Sequence, residues 1–398
     1  MYEIFADLHV HIGRTENGKP VKITAARSLN FANIAKECYE RKGIQVVGII
    51  DCASPYVIED IENFLKTGEA YEIEEGGIIY KDEICILLGS EVETSEQGRN
   101  GKAGAAHNLC FFPHLQDIKA FSKEMSRHIK NITLSTQRSD ISGYELIDIV
   151  EKYHGIVIPA HIFTPHKSYY GNCTDRLAYI FKEKLDKVFA VELGLSSDTE
   201  LADEISELET KTFLTNSDAH SLPKIAREYN KMLVEAISFQ EIVKALKGED
   251  GRKILANYGL DPKLGKYHRT YCDDCEDSIE TKEPVEFCPK CGGKNVTFGV
   301  FDRIELIKDK EESKSPKSRP PYIYQVPLGF IPGVGGKTIT KLLDTFDTEM
   351  NILHKLSKDD IEAVVGEKVA ENIVNAREGK MEVHSGGGGV YGKVLAKN

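Results

Sequence analysis

Through the first 225 residues, short apolar runs alternate with amphipathic stretches. IQVVGIID (44–51), ICILLGSE (84–91), GIVIPAH (155–161), VFAVELG (188–194) and KTFLTNSD (211–218) read as strands. FANIAKECYERK (31–42), YELIDIVEKYH (144–154), DRLAYIFKEKL (175–185) and ISFQEIVKALKG (237–248) read as helices. Such alternation predicts an α/β fold with a mainly parallel sheet. Several runs end in side chains that can hold a metal: His9 and His11, Asp51, Glu91, His161, Asp218 and His220. Parallel α/β barrels carry their active sites at the C-terminal ends of the strands, so this placement favours a barrel. A doubly wound open sheet is the alternative.

The first of these groups lies in ADLHVHIG (6–13). Residues two apart on a strand point to one face, so His9 and His11 project together. With Glu91, His107, His161 and the D-x-H at 218 and 220, they make a set of imidazoles and carboxylates suited to Zn, Mn or Fe. The donors exceed what one ion needs. A cluster of two or three ions is expected, with Glu91 as a bridging carboxylate. Such ions bring the pKa of water toward neutrality and neutralise charge on a phosphate ester. Phosphate-ester hydrolysis is the natural chemistry, and the ligands do not distinguish a monoester from a diester.

The 398 residues predict two or three domains. No apolar run approaches the ~18 residues of a membrane span, and the N-terminus lacks the features of a signal peptide. A cytoplasmic protein is expected. The net charge of −12 argues against wholesale electrostatic binding to nucleic acid but leaves room for a local basic strip. Of nine cysteines, Cys272, Cys275, Cys288 and Cys291 form C-x2-C-x12-C-x2-C, which predicts one structural zinc held by four thiolates. A small ribbon of this type serves as a rigid insert or as a nucleic-acid contact.

Beyond it, KDKEESKSPKSRPPYIY reads as a linker or extended arm. IPGVGGKTITKLLDTF and LSKDDIEAVVGEKVAENIVNAR each read as helix, glycine turn, helix. In the first, Gly333 and Gly335 let the backbone approach a phosphate, and Lys337 and Thr338 add hydrogen bonds. Such contacts position a duplex without reading its bases; the alternative is an ordinary helical hairpin for protein contact. The expected division is 1–260, a metal-dependent phosphoesterase domain; 261–305, the zinc module; 306–324, the linker; and 325–398, the hairpin region.

The H-x-H, the glutamate of GSEVE, the later histidines and the final D-x-H resemble the PHP superfamily (polymerase and histidinol phosphatase) over about residues 1–225. The resemblance implies a distorted (β/α)7 barrel with a trinuclear centre. His9, His11, Glu91 and Asp218 would hold one ion, and Glu91, His107 and His161 a second. Asp218, Glu91 and His161 are the candidate catalytic residues. The third site departs from the pattern: where T-D-H is common, this chain reads IDCAS. Asp51 or Cys52 would join His220 there, or the third ion binds weakly; Cys52 as a small buried thiol is the alternative.

With PAHIFTPHKSYYG, the cysteine pattern and IPGVGGKT, the whole chain resembles the endonuclease Q family. That resemblance implies a DNA-repair endonuclease. It would cut 5′ of deaminated bases (hypoxanthine, uracil, xanthine) or abasic sites, and use two or three divalent ions (Zn, Mn or Mg) in the barrel. Its partner would be damaged double-stranded DNA, with nucleoid association when bound. A sliding clamp is a further candidate partner, although neither terminus carries an evident clamp-binding peptide. An extruded base needs aromatic or apolar walls and amide groups; Phe163, Tyr169 and Tyr170 beside His161 are candidate walls, and so is the glycine-rich segment 95–107, read as a loop with many backbone N–H groups. The two tyrosines are equally candidates for the core, and His166 for a phosphate contact or an exposed position. The alternatives are a phosphatase for a small phosphomonoester and a non-catalytic DNA-binding scaffold.

Overall fold

A computed structural model describes residues 1–98, 101, 103–281 and 283–395. The first strand, Tyr2–Val10, runs parallel to Val46–Ile49, which runs parallel to Ile84–Gln97. Ile84–Gln97 turns back antiparallel onto Ala103–Phe112, and that strand pairs antiparallel with Ile156–Pro159. Ala190–Glu192 and Thr212–Leu214 form a parallel pair. The ring closes at Ala219. Its N–H donates to the His9 carbonyl, and its carbonyl accepts from the His11 N–H, both at 3.1 Å. This is the distorted PHP-type α/β barrel expected, with two departures. Ala103–Phe112 pairs antiparallel on both sides, where a mainly parallel sheet was expected. Most of segment 95–107, expected as a loop, is strand, because Ser95 to Gln97 pair in register with Ala105 to Ala103. Arg99, Asn100 and Lys102 of that segment lie outside the described residues.

The first strand changes faces along its length. Ile4, Ala6 and Leu8 join one apolar cluster, whereas Val10 and Ile12 join the layer that packs under the helices. The switch coincides with a register irregularity between Asp7 and Val10. One extra residue in a strand inverts the alternation that follows it. His9 and His11 are thereby turned inward and buried. Outside the ring, Gly143–Lys152 is a representative helix. A Ser142/Glu145 capping box opens it, and Leu146, Ile147 and Val150 bury one face.

The chain then extends the sheet. Tyr229–Val234 pairs antiparallel with the first strand and with Lys253–Gly259, to which Tyr322–Tyr324 adds in parallel. Segment 306–324 is therefore not a free linker. Arg319 lies fully against Asp203, with Nη2 2.7 Å and Nε 3.2 Å from Oδ1, and also donates to the Leu208 carbonyl at 2.9 Å. Lys308, Asp309 and Lys310 likewise meet Glu204, Arg176 and Glu209 on the barrel.

The C-terminal region holds four helices: Gly336–Phe346, Glu349–His354, Lys358–Val365 and Glu367–Arg377. The last two, joined by Gly366 at φ +83°, have the expected helix–glycine–helix form. Before IPGVGG the structure has only a 3-10 turn, Leu328–Phe330, where a helix was expected. Pro327 and Pro332 flank that turn and deny a longer helix its N–H donors. His354 docks the helices on the barrel, stacking on Phe5 and lying 2.7 Å from the Tyr229 hydroxyl. Among the described residues no helix is long and apolar enough to cross a membrane.

Candidate metal centre

Two donor groups meet at the strand ends: His9, His11 and Asp218, and Glu91, His107 and His161. Within each, the donor atoms lie within 4.8 Å of one another. Glu91 joins the two groups. Its Oε1 is 2.8 Å from His107 Nδ1, 3.5 Å from His9 Nε2 and 3.6 Å from His161 Nε2, while Oε2 is 3.6 Å from His11 Nε2. Asp218 Oδ1 lies 3.5 Å from His9 Nε2 and 3.4 Å from His11 Nε2. His9 Nε2 is buried without a hydrogen-bond partner. Buried nitrogens without partners are costly unless something else satisfies them. Imidazole and carboxylate donors converging on one space fit divalent cations.

Each imidazole is oriented from behind, as in carboxylate–histidine–metal arrangements. His9 Nδ1 lies 2.9 Å from Glu192 Oε2, and Glu192 also accepts from Asn216 Nδ2 at 2.8 Å and the His161 N–H at 3.1 Å. His107 Nε2 faces Glu93 at 3.4 Å, and His161 Nδ1 faces the Thr164 hydroxyl at 3.0 Å. His11 Nδ1 lies 3.1 Å from Asp51 Oδ2, which also accepts the Ile12 N–H at 2.6 Å. Asp51, expected as a ligand, turns Oδ2 to His11, keeps Oδ1 buried without a partner, and stands in neither donor group. Cys52 is the small buried thiol: its Sγ donates to the Ile49 carbonyl at 3.1 Å, and burial pushes its pKa well up. His220 directs Nδ1 to the Asp218 carbonyl at 3.0 Å and likewise joins neither donor group.

The field of the site suits cations. Burial opposes ionisation of Glu91, but His107 and Lys22 outweigh it and hold the carboxyl well below the usual range. Burial opposes Asp218 too, and His9, His11 and His220 overcome it. For His9, burial disfavours the charged ring, but Glu192, Asp218 and Glu91 raise its pKa to about 10. His161 and Asp218 both hold positive φ, +31° and +45°. Such strained backbone persists where the surroundings over-determine it, often at functional sites.

A cavity of about 240 Å³ opens from His161 and Asp218 and is walled by His166, Asn216, Tyr267 and Tyr391. Tyr391 comes from the glycine-rich tail. Its hydroxyl accepts from Arg227 at 2.7 Å, and Lys266 Nζ lies 4.7 Å from its ring centre. The aromatic walls expected from Phe163, Tyr169 and Tyr170 are not there, since all three rings are core. Phe163 stacks on Tyr170, Tyr170 donates to Glu207 at 2.6 Å, and Tyr169 donates to Asn108 at 3.0 Å. The turn at Tyr169–Cys173 folds both tyrosines inward. Sequence reasoning missed Glu192, although it ends a strand-like run just as the other candidates do. It also missed Lys22, Tyr267 and Tyr391, which no local pattern marks.

The four cysteines form a separate cluster on a small ribbon of paired strands. Cys272 Sγ lies 3.8 Å from Cys291 Sγ, and Cys275 Sγ lies 3.8 Å from Cys288 Sγ. A tetrahedral ion with Zn–S bonds of about 2.3 Å requires sulfur–sulfur edges of about 3.8 Å. The Cys275 N–H reaches Cys272 Sγ and the Gly293 N–H reaches Cys291 Sγ, both at 3.4 Å. At the hairpin turn, Gly333 takes φ +87°, and Gly335 caps the helix that begins at Gly336. Lys337 is exposed there, while the Thr338 hydroxyl turns to the Gly333 carbonyl at 3.4 Å.

A barrel whose strand ends bring imidazoles and carboxylates onto a shared glutamate defines a metal-dependent phosphoesterase of the PHP type. No family model matches the chain. It is 48% identical over 395 residues to the uncharacterized protein YqxK of Bacillus subtilis, covering 99% of this chain and 100% of that one. Among solved structures it is similar to the lesion-specific endonuclease PfuEndoQ from Pyrococcus furiosus, at 31% identity and a TM-score of 0.83, covering 100% of this chain and 96% of that one. It is also similar to an endonuclease Q in complex with a 27-mer duplex carrying an abasic lesion at the active site. There the identity is 30% and the TM-score 0.84, over 100% of this chain and 97% of that one. The chain belongs to the endonuclease Q family of metal-dependent nucleases.

Proposed function

We propose that this protein is a DNA-repair endonuclease that hydrolyses the phosphodiester 5′ of a deaminated base or an abasic site. The observation that carries the reading is the whole-chain likeness to an endonuclease Q bound to duplex DNA with an abasic lesion at its active site. Divalent ions held by His9, His11 and Asp218, and by Glu91, His107 and His161, would supply activation of water and charge neutralisation at the phosphate. The protein's own part is positioning. Glu192, Glu93 and Asp51 hold the imidazoles in one orientation, and Asn216 holds Glu192.

The cavity beside His161 and Asp218 is the place for an extruded nucleotide, with Tyr267 and Tyr391 as stacking faces and Asn216 as a polar contact. The four-cysteine cluster holds a structural zinc. The turn at Gly333 and Gly335, with Lys337, contacts the duplex backbone. DNA is the partner that this reading needs; the sliding clamp raised on sequence grounds has no support and is not carried forward.

The test is a nicking assay on labelled duplexes with one hypoxanthine, uracil, xanthine or abasic site, with Mg, Mn or Zn. The expected result is a metal-dependent nick immediately 5′ of the lesion, absent from undamaged duplex. Equal cutting of undamaged DNA would remove the repair assignment. Phosphate release from small monoesters without any nick would replace it with a phosphatase.

A further inference from the structure

The PHP resemblance implies three ions, and the residues here fit two. At the third corner Asp51 gives Oδ2 to His11 and Ile12, and Cys52 faces the Ile49 carbonyl, so only Asp51 Oδ1 and His220 remain, and neither belongs to a group of three converging donors. A lysine stands in this corner. Lys22 Nζ lies 3.3 Å from Glu91 Oε2 and donates to the Thr136 hydroxyl at 2.6 Å, and that hydroxyl donates to the same Glu91 oxygen at 2.6 Å. The ammonium therefore shares with His11 the Glu91 oxygen that faces away from His107 and His161.

Its placement is specific. The Lys22 N–H donates to the Ile12 carbonyl at 2.9 Å and the Val21 N–H to the Gly13 carbonyl at 3.0 Å, so the loop is pinned to the end of the first strand. From the other side, the Ser135 N–H holds the Val21 carbonyl at 2.9 Å, and Thr136 reaches Glu91 from a backbone at φ +51°. The Lys22 side chain retains 16% of its exposure, which leaves the ammonium a path to solvent.

We propose that Lys22 is a resident cation that replaces the third divalent ion, so that the barrel works with two ions and one ammonium. In the reaction of the preceding section it would face a non-bridging phosphate oxygen as charge builds there. No proton transfer is assigned to it. A fixed ammonium gives a phosphoryl centre the charge stabilisation of a cation without a metal's exchange with solvent. The role in the reaction rests on the nuclease reading, whereas the metal count does not.

The test uses the full chain, wild type, Lys22→Met and Lys22→Arg, reconstituted with Mn or Zn. Metal content is read by mass spectrometry and nicking by single-turnover kinetics on an abasic duplex. Wild type is expected to hold three ions per chain, one at the cysteines and two in the barrel. Lys22→Met should keep that count and the duplex Kd while its nicking rate falls ~100-fold; Lys22→Arg should restore part of the rate. Three barrel ions in wild type would overturn the proposal. So would wild-type nicking by Lys22→Met. Loss of barrel ions from Lys22→Met would also overturn it, since Lys22 would then merely support Glu91. If wild type nicks no DNA at all, the nuclease reading fails while the wild-type metal count still decides whether the barrel holds two ions or three.

Discussion

The two candidate metal sites are built on opposite plans. The cysteine cluster draws its donors from Cys272 to Cys291, a short ribbon with a small apolar core of its own. Four thiolates close a tetrahedron and leave no position for a substrate. The barrel centre gathers donors from His9 to Asp218, mixes imidazole with carboxylate, and opens onto a cavity. Its ligands are held by an outer layer of carboxylates that the cysteine site lacks. A local, closed site stabilises a small module. A dispersed, open one depends on the whole fold and is available for chemistry.

The largest effect that would sharpen this contrast comes from removing one donor on each side. Asp218→Ala is expected to lower metal-dependent nicking on the order of 1,000-fold, with the cysteine ion retained. Cys288→Ser is expected to lose that ion and the ribbon's protection from proteolysis, while the barrel ions stay. Metal analysis and limited proteolysis of the two variants check both. Coupled loss of all ions in either variant would break the comparison.

The outer layer comes next. Glu192→Ala removes the carboxylate behind His9 and is expected to weaken barrel metal affinity 10–100-fold, measured by competition with a chelator, with no change at the cysteines. The strap across the barrel is tested through stability. Arg319→Ala leaves Asp203, which is 0% exposed, without its ion partner, and a broken buried pair costs about 3–5 kcal/mol. Chemical denaturation checks this. A near-zero effect would show that segment 306–324 is the free linker its composition suggests.

A pH dependence is expected away from both sites. Burial raises the Glu228 carboxyl to about 8, and one of its oxygens has no partner. An acid whose folded pKa is raised binds more protons folded than unfolded, so it lowers stability as pH rises from the unfolded value toward about 8. Glu228→Gln mimics the protonated form. Its melting temperature should match wild type near pH 4 and exceed it increasingly up to pH 8. A constant difference would contradict the assignment.

The closed site was legible in full, because its donors sit on two knuckles whose spacing is itself the geometry. The barrel centre was legible as a set of residues, since ligands at strand ends leave a periodic trace at His9, Glu91, His161 and Asp218. What surrounds that set was not. Asp51 has the same position in its run as the donors do, and only the fold shows that its Oδ2 meets His11 Nδ1. Lys22 and Tyr391 are brought in by a loop and a tail whose paths depend on long-range backbone pairing. Phe163, Tyr169 and Tyr170 misled because nearness to His161 in sequence says nothing about which way a turn folds its rings. Segment 306–324 was legible as a linker or an extended arm, and its composition could not show that Lys308, Lys310 and Arg319 pair with Glu204, Glu209 and Asp203 on the barrel.

The central claim is that Glu91 unites two cation-binding groups inside the barrel. Anomalous diffraction from crystals grown with Mn tests it most directly, with data at the zinc edge for the cysteine site. The account predicts one ion among His9, His11, Asp218 and Glu91, a second among Glu91, His107 and His161, and a third among the four sulfurs. Anomalous density at Asp51 and His220, or none at Glu91, would contradict it.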